Sequence, residues 1–383
     1  MSTSPDETDG ADSSSSILRQ IVDPWYASLA NPAGEQEKVL KELVRGYSQT
    51  EYGRDHGADA ADGIEKFQTS FPISNYASLS PYIRRVKLGD HKALLPEPVR
   101  KWVMTRGSTG ASKVIPTTET HLSLVLSLGA RAVVNFAARG NPQVLETPVL
   151  NLNFPSEVHE FETTAGKEAY GYSSGTYARL YPELLGARLL PRQEEIDSLG
   201  GGISKGDWAK RFELVYQRAK GEDVGSLIGV TPVMLAFATF VRKKHGVRLR
   251  DLWKPRALFC TSVAKIHTKY EPTLHYHYGP SPVMEMYTAT EGVFAQQLDG
   301  SPYVSPNYDG YLFEVVTGRG IKMLHDLQRN QWGRLVVSTP MLPRYDMGDL
   351  IESLGKGYFR VFGRNRILTR IEHLLFNVVA LRR

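Results

Sequence analysis

A loop rich in glycine and hydroxyl side chains carries the strongest chemical signal in this sequence. Residues 105–113 read TRGSTGASK and follow the apolar segment 102–104. Glycine lets a backbone bend closely around a ligand, and backbone N–H groups, hydroxyls and a lysine can surround phosphate oxygens. A helical apolar pattern opens at residues 117–119, so the loop is predicted to lie between a strand and a helix, where anions bind well. The pattern favours a phosphate-binding loop, and an ordinary strand–helix turn is the alternative.

Two common nucleotide-binding patterns are excluded for this loop. Gly110 is followed by Ala-Ser-Lys, whereas a Walker A loop has Lys-Ser or Lys-Thr directly after its last glycine. The dinucleotide fingerprint Gly-x-Gly-x-x-Gly is absent from the loop as well. Any phosphate that this loop binds is therefore bound in another manner.

A second pattern combines an aromatic ring, hydroxyls and one carboxylate. Residues 287–292 read YTATEG and directly follow the strand-like VMEM of residues 283–286. Tyr287 can cover a purine face, and Glu291 can hold Mg²⁺ beside phosphates. A β-turn with a solvated glutamate is the alternative for this segment alone.

Two further patterns lie near the C-terminal end of the sequence. Residues 344–350 read RYDMGDL, in which Asp349 follows a glycine and can accept hydrogen bonds from ribose hydroxyls. Residues 359–365 read FRVFGRN, in which Arg364 can contact phosphate or ribose oxygens. Taken singly, both segments also fit ordinary charged turns.

Composition narrows the class of protein. The 383 residues, 41% hydrophobic and 23% charged, suit a soluble globular protein with two or three lobes. The net charge of +5 is small, and the acidic and basic residues are interspersed along the chain. This distribution gives little support to nucleic acid binding. The one cysteine, Cys260, lies in an apolar run, excludes an internal disulfide and fits a reducing compartment. Since no segment reaches the ~18 apolar residues of a membrane span, and residues 1–16 are predicted to be a disordered tail, the expected location is the cytosol with no membrane partner.

The periodicity of apolar residues predicts an α/β fold in which strands alternate with helices. Helices are predicted at residues 17–47, 118–139, 208–219 and 227–245. Strands are predicted at residues 149–154, 256–262, 283–287, 312–316 and 334–338. Residues 171–175 are predicted to be a turn-rich loop, and residues 374–381 a strand or packing segment.

The order of the four patterns resembles that of the acyl-adenylate-forming superfamily. Within it, the chain is most similar to the auxin-responsive acyl-acid amido synthetases, the Gretchen Hagen family. Stretches outside the nucleotide patterns carry this likeness: residues 50–56, 67–76, 82–83, 113–117, 270–274 and 312–315. The resemblance implies a large domain over residues 17–370, with stacked α/β layers and a strand-rich subdomain. Residues 371–383 would be a residual hinge or tail, and the small C-terminal lid domain would be missing.

The resemblance also implies an activity. Such enzymes activate a carboxylic acid with ATP as an acyl-adenylate, and an amine or amino acid then displaces AMP to form an amide. ATP and Mg²⁺ are the implied cofactors. Nucleotide contacts are implied for residues of all four patterns: Thr105, Gly107, Ser108, Thr109, Gly110, Lys113, Tyr287, Thr288, Ala289, Thr290, Asp349 and Arg364. Lys113, Thr290 and Glu291 would be catalytic, with Glu291 as the Mg²⁺ ligand. The acyl pocket is expected between the helices at 122–139 and 227–240.

The sequence departs from the family pattern at three places. Arg106 stands where the family usually has serine, and its guanidinium could bind phosphate or fill the site. Asp346 stands where a positive residue is usual, and Arg344 is expected to compensate by pairing with it. Only 19 residues follow Arg364, so the expectation is either a truncated form or a partner chain that supplies the lid.

Three functional hypotheses follow from the sequence. The first is the acid–amine ligase, in a variant member of the family that could serve secondary metabolism. An acyl-CoA ligase of the same superfamily is a close alternative, although no separate CoA-binding feature is visible. The departures at Arg106, at Asp346 and after Arg364 favour a third, a non-catalytic protein of the same fold that binds a nucleotide or a partner.

Overall fold

The computed structural model describes residues 6–107, 112–163, 166–182 and 188–380. Its α-helices in these ranges are α1 Asp6–Ala30, α2 Pro32–Tyr47, α3 Glu51–Asp55, α4 Ile64–Ser70, α5 Tyr76–Lys87, α6 Glu119–Ala138, α7 Ser173–Leu180, α8 Gln193–Asp197, α9 Lys205–Ala219, α10 Thr231–His245, α11 Leu249–Leu252, α12 Glu271–Tyr278 and α13 Ile367–Ala380. The helix α1 begins inside the segment that was expected to be a disordered tail.

The strands of the same ranges form three sheets. They are β1 Lys101–Met104, β2 Val114–Thr117, β3 Val149–Leu150, β4 His159–Thr163, β5 Gly166–Tyr172, β6 Leu189–Leu190, β7 Ser226–Val230, β8 Ala257–Thr261, β9 Val283–Ala289, β10 Gly292–Gln296, β11 Ser305–Pro306, β12 Leu312–Thr317, β13 Gly320–Met323, β14 Trp332–Ser338, β15 Tyr345–Gly355 and β16 Tyr358–Arg364.

A seven-stranded sheet with helices on both faces forms the centre of the fold. Its order is β11-β10-β9-β8-β7-β3-β6, parallel from β9 to β6 and antiparallel at the β10 and β11 edge. Successive side chains of a strand point to opposite faces. In β8, Leu258 and Cys260 therefore pack in the core with α10, whereas Ala257 and Phe259 pack with α6. The sheet separates these two helices.

Local chemistry sets the ends of those two helices. At α6, the Thr118 hydroxyl accepts a hydrogen bond from the His121 amide at 3.3 Å, which satisfies one of the free N–H groups of the first turn. At α10, Pro232 lies in the first turn and Gly246 follows the last residue with φ +71°, a conformation that glycine adopts without strain. Both helices were predicted within a few residues.

Contrary to the expectation from the sequence, α6 is by length and composition apolar enough to cross a membrane. However, 61% of its most apolar window is buried inside the fold. Its burial against the seven-stranded sheet explains the composition, because a core helix is apolar on most of its surface.

The predicted strands at 312–316 and 334–338 belong to a second sheet of the fold. A five-stranded antiparallel sheet has the order β13-β12-β14-β15-β16. A four-stranded sheet has the order β2-β1-β5-β4. The buried Arg344 ties the five-stranded sheet to α4: its guanidinium bonds Glu314 at 2.8 and 3.0 Å and the carbonyl oxygens of Gln68 and Phe71 at 2.6 and 2.5 Å.

Several sequence predictions are wrong in detail. The loop at 105–113 does not lead directly into a helix, because β2 intervenes and pairs with β1 as a hairpin. Residues 171–175 are the end of β5 and the start of α7 rather than a loop. Residues 374–380 belong to α13 rather than to a strand. Of the predicted strand at 149–154, only Val149–Leu150 pairs, with β6 and β7.

Candidate active site

All three sheets contribute to one cavity of about 900 Å³. Its walls come from the C-terminal ends of β1, β5, β7, β8 and β9, from parts of β15 and β16, and from the first turn of α13. Every described nucleotide or catalytic residue predicted from the sequence lines this cavity: Thr105, Gly107, Lys113, Tyr287, Thr288, Ala289, Thr290, Glu291, Asp349 and Arg364. The predicted Ser108, Thr109 and Gly110 lie outside the described residues.

The two ends of the phosphate-loop candidate are joined by hydrogen bonds. The amide of Thr105 donates to the carbonyl oxygen of Lys113 at 2.9 Å, and the amide of Lys113 donates to the Thr105 hydroxyl at 3.0 Å. Gly107 has φ +66°, which favours glycine. The Lys113 ammonium donates to the Tyr345 hydroxyl at 3.0 Å, so the lysine reaches across from the loop to β15.

The turn between β9 and β10 brings a carboxylate and hydroxyls to the same cavity. The Thr288 hydroxyl lies 2.6 Å from that of Thr261 on β8, and the Thr290 hydroxyl lies 3.4 Å from that of Ser173 on α7. Glu291 is buried, with 6% of its surface exposed. Burial raises the pKa of its carboxyl, while the nearby Lys113 ammonium acts in the opposite direction.

Asp349 is held from two sides. The Tyr287 hydroxyl donates to its Oδ2 at 2.7 Å, and the Arg364 Nε lies 3.3 Å from its Oδ1. Asp349 and Arg364 face each other directly across β15 and β16, and Arg364 also donates to the Met347 carbonyl oxygen at 2.5 Å. Burial raises the pKa of Asp349, and the guanidinium opposes that shift. The carboxylate is thereby fixed in position at the cavity wall.

The predicted pairing of Asp346 with Arg344 is wrong. Arg334 on β14, not Arg344, pairs with Asp346 at 2.7 Å between Nη1 and Oδ2. Arg344 is buried and forms a salt bridge with Glu314 instead. The other Asp346 oxygen accepts the Gly348 amide at 2.9 Å, which supports the turn leading to Asp349. The negative residue therefore lines the cavity and also supports its wall.

The expected acyl pocket between α6 and α10 is wrong, because the seven-stranded sheet lies between those helices and neither contributes a residue to the cavity wall described above. One apolar part of the wall is formed by Leu152, Phe154, Tyr172 and Val230. These residues follow or end β3, β5 and β7. An acyl group would be buried against them.

Sequence reasoning missed several polar residues at the site. Tyr345 contacts Lys113, and Ser173 contacts Thr290. Glu285 also lines the cavity, on the same face of β9 as Tyr287. The alternation along VMEMY was available as a signal for Glu285, because an acidic residue inside an apolar strand is unusual.

The side chains around Glu291 determine whether this part of the cavity fits Mg²⁺. In the described part of the chain, no three His, Cys, Asp or Glu side chains group closely enough to hold a metal ion. Mg²⁺ commonly binds through one or two carboxylates together with substrate phosphates and water. A single buried carboxylate facing the cavity therefore fits an ion that arrives with a nucleotide.

The sequence is similar to known proteins over most of its length. Residues 25–197 match the GH3 family N-terminal domain. The putative indole-3-acetic acid-amido synthetase GH3.10 of Oryza sativa subsp. japonica is 24% identical, over 94% of this chain and 85% of its own length. The indole-3-acetic acid-amido synthetase GH3.8 of Oryza sativa subsp. indica is 25% identical, over 88% of this chain and 67% of its own.

Two solved structures share the fold. A GH3.15 acyl acid amido synthetase superposes with a TM-score of 0.68 at 16% identity, covering 87% of this chain and 68% of its own. An open conformation of 2-hydroxyisobutyryl-CoA ligase superposes with a TM-score of 0.59 at 14% identity, covering 86% and 73%. The fold is thus that of the acyl-adenylate-forming proteins. Within that class, the chain is similar to the amido synthetases of the GH3 family, as its motifs predicted.

Proposed function

We propose that this protein is an ATP-dependent ligase that joins a carboxylic acid to an amine or amino acid through an acyl-adenylate. In the first step a carboxylate oxygen bonds to the α-phosphorus of ATP, and the bond to the leaving pyrophosphate breaks. In the second step the amine nitrogen bonds to the acyl carbon, and AMP leaves with the electron pair of the broken C–O bond. Positioning and charge neutralisation account for most of such catalysis.

The residues of the cavity are assigned by their chemistry. Thr105, Gly107 and Lys113 would bind the β- and γ-phosphates. Tyr287 and Thr288 would flank the adenine, and Thr290 would donate to the α-phosphate. Asp349, fixed by Tyr287 and Arg364, would accept the ribose hydroxyls.

A divalent ion is part of the proposal. Mg²⁺ bound with the nucleotide neutralises phosphate charge during the transfer. Glu291 would hold it, and the Lys113 ammonium lowers the pKa of that carboxyl against the larger, opposite effect of burial.

One observation carries this proposal: residues about 240 positions apart in the sequence line the same cavity. A non-catalytic nucleotide-binding protein would have the same cavity, so a measurement of activity is needed to distinguish the two functions. An acyl-CoA ligase differs only in the acceptor. We also propose a cytosolic location, because a free, buried Cys260 thiol suits a reducing compartment. We further propose that a partner chain closes the cavity, because water that reaches the adenylate would hydrolyse it.

Acid-dependent exchange of pyrophosphate into ATP, screened over a panel of carboxylic acids, tests the proposal. We expect exchange with at least one acid. Lys113→Ala and Glu291→Ala should each reduce it by at least about 100-fold, because each removes a charge that is needed at the phosphates. Mass spectrometry of products formed with amino acids or with CoA then identifies the acceptor.

Lys167→Ala is a suitable control, because this lysine lies on β5 in an exposed pair with Glu160 away from the cavity. Nucleotide binding without exchange for every acid would favour the non-catalytic alternative. Full exchange in both cavity variants would refute the site assignment.

A further inference from the structure

Arg106 places a positive charge at the apolar end of the cavity. Its guanidinium carbon lies 5.7 Å from the centre of the Phe154 ring, beside Tyr172. A guanidinium stacked on an aromatic face keeps its N–H donors at the edge of the plane available to other partners. This position is where the phosphate loop meets the wall that would bury an acyl group.

The charge of Arg106 is not balanced by the described residues. Two other cations of the cavity have hydrogen-bond partners: Lys113 donates to Tyr345, and Arg364 contacts Asp349 and the Met347 carbonyl. Arg106 makes no ion pair or hydrogen bond with any residue that the structure describes. Burial and the like charge of Arg364 both lower the pKa of Arg106. An anion near Arg106 would relieve this repulsion.

We infer that Arg106 binds the carboxylate of the acid substrate and directs one of its oxygens toward the nucleotide. This inference rests on the proposed function. The positive charge of Arg106 reduces the repulsion between the substrate carboxylate and the phosphates of the nucleotide. Arg106 neither gives nor takes a proton in this step. The carboxylate oxygen forms the bond to phosphorus and pyrophosphate leaves, as in the first step above. A guanidinium fits this task because its parallel N–H groups match the two carboxylate oxygens.

The charge of the ligand is therefore recognised at the apolar wall, separately from the phosphates. Lys113 and Thr105 lie at the two ends of the phosphate loop and meet each other there. The Phe154 ring, in the segment that follows β3, packs instead with Met104 and Tyr172 at the ends of β1 and β5. The competing assignment is that Arg106 contacts a phosphate of the nucleotide. The KM values for the acid and for ATP distinguish the two assignments.

Arg106→Ser restores the residue usual in the family and removes the charge. We expect the KM for the acid in pyrophosphate exchange to rise roughly 10- to 100-fold, as for the loss of a charged hydrogen bond, with the KM for ATP changed less than threefold. Arg106→Lys should lie between, since it keeps the charge without the paired N–H groups. The primary amide of the same acid, tested as a competitive inhibitor, should lose little affinity in Arg106→Ser, because it has no charge.

Arg100→Ser is the matched control, since Arg100 precedes β1, pairs with Glu119 at 3.4 Å and is outside the cavity. A rise in the KM for ATP instead of the acid would overturn the inference in favour of phosphate binding. Equal losses for the acid and its neutral amide would overturn it in favour of a structural role. Absence of exchange in the unmodified protein with every acid would instead refute the proposed function itself.

Discussion

Glu285 shows how one side chain can make stability depend on pH. It lies on β9, lines the cavity and has 12% of its side chain exposed. Burial raises the pKa of its carboxyl to about 7. The imidazole of His267 lies beside it, with Nε2 3.7 Å from the Glu285 carboxylate and Nδ1 2.8 Å from Glu271. Glu285 therefore changes its charge near neutral pH inside the protein.

The sign of the effect follows from the two pKa values. Between about pH 4.5 and 7 the folded chain keeps a proton on Glu285 that the unfolded chain has released, so stability falls as the pH rises. The loss approaches about 3 kcal/mol above pH 7. Glu285→Gln should remove this dependence. The stability of the variant relative to the unmodified protein should therefore be higher at pH 8 than at pH 5. Urea unfolding of both proteins at the two pH values measures it, and parallel stability profiles would contradict it.

Single residues also show what the sequence could and could not predict. Lys113, Glu291 and Asp349 were predicted because each belongs to a short pattern with recognisable chemistry. Arg334 and Tyr345 were not predicted as partners at the site, because strand register decides which side chains meet. The pairing of Val336 with Asp346 across β14 and β15 cannot be read from composition or spacing.

At the scale of elements, two close backbone approaches form the cavity wall. A Cβ on Gly175, in α7, would lie 1.9 Å from the Phe154 carbonyl oxygen. A Cβ on Gly171, in β5, would lie 2.3 Å from the Ser156 backbone. Any larger residue would push the segment after β3 away from β5 and α7. The apolar wall thus depends on these two glycines.

Gly175→Ala should destabilise the protein by at least about 2 kcal/mol, because the clash is with backbone that cannot rotate away. It should also raise the KM for the acid, since Phe154 would move with the segment. Denaturant unfolding and pyrophosphate exchange measure the two effects. Gly206→Ala, in the exposed first turn of α9, meets nothing closer than 3.8 Å and should be neutral or slightly stabilising. A Gly175→Ala protein as stable as this control would disprove the packing argument.

Element types were predicted better than their connections. The apolar stripes of α6 and α10 identified both helices, but the brief β2 between the loop and α6 was missed. Four residues are too few for an alternating pattern to be distinguished from a loop. In α13, the apolar residues Ile367, Leu368, Ile371, Leu374 and Leu375 have helical spacing, yet the run at its end also fits a strand.

At the scale of the whole molecule, one buried ion pair joins distant parts of the chain. Arg344 and Glu314 have 2% and 0% of their side chains exposed, and Arg344 also binds backbone next to α4. Arg344→Met should cost about 3–5 kcal/mol, because it leaves Glu314 buried without a counter-charge. The double variant Arg344→Met, Glu314→Gln should recover part of this loss. Chemical denaturation measures both, and the exposed pair variant Lys167→Ala should change stability by less than about 1 kcal/mol. Equal stability of the single and double variants would contradict the explanation.

The distribution of cavity residues along the chain has a consequence for biosynthesis. Thr105 and Asp349 are about 240 residues apart, so at ~5–20 residues per second a ribosome needs roughly 12–50 s to pass from one to the other. During that interval the nascent polypeptide has the loop proposed to bind the triphosphate but lacks β15 and β16, which carry the proposed ribose contacts. On the proposed function, ATP can therefore assist folding only after translation has passed Arg364, and ribosome-bound chains stalled before β15 should gain no protease resistance from the nucleotide.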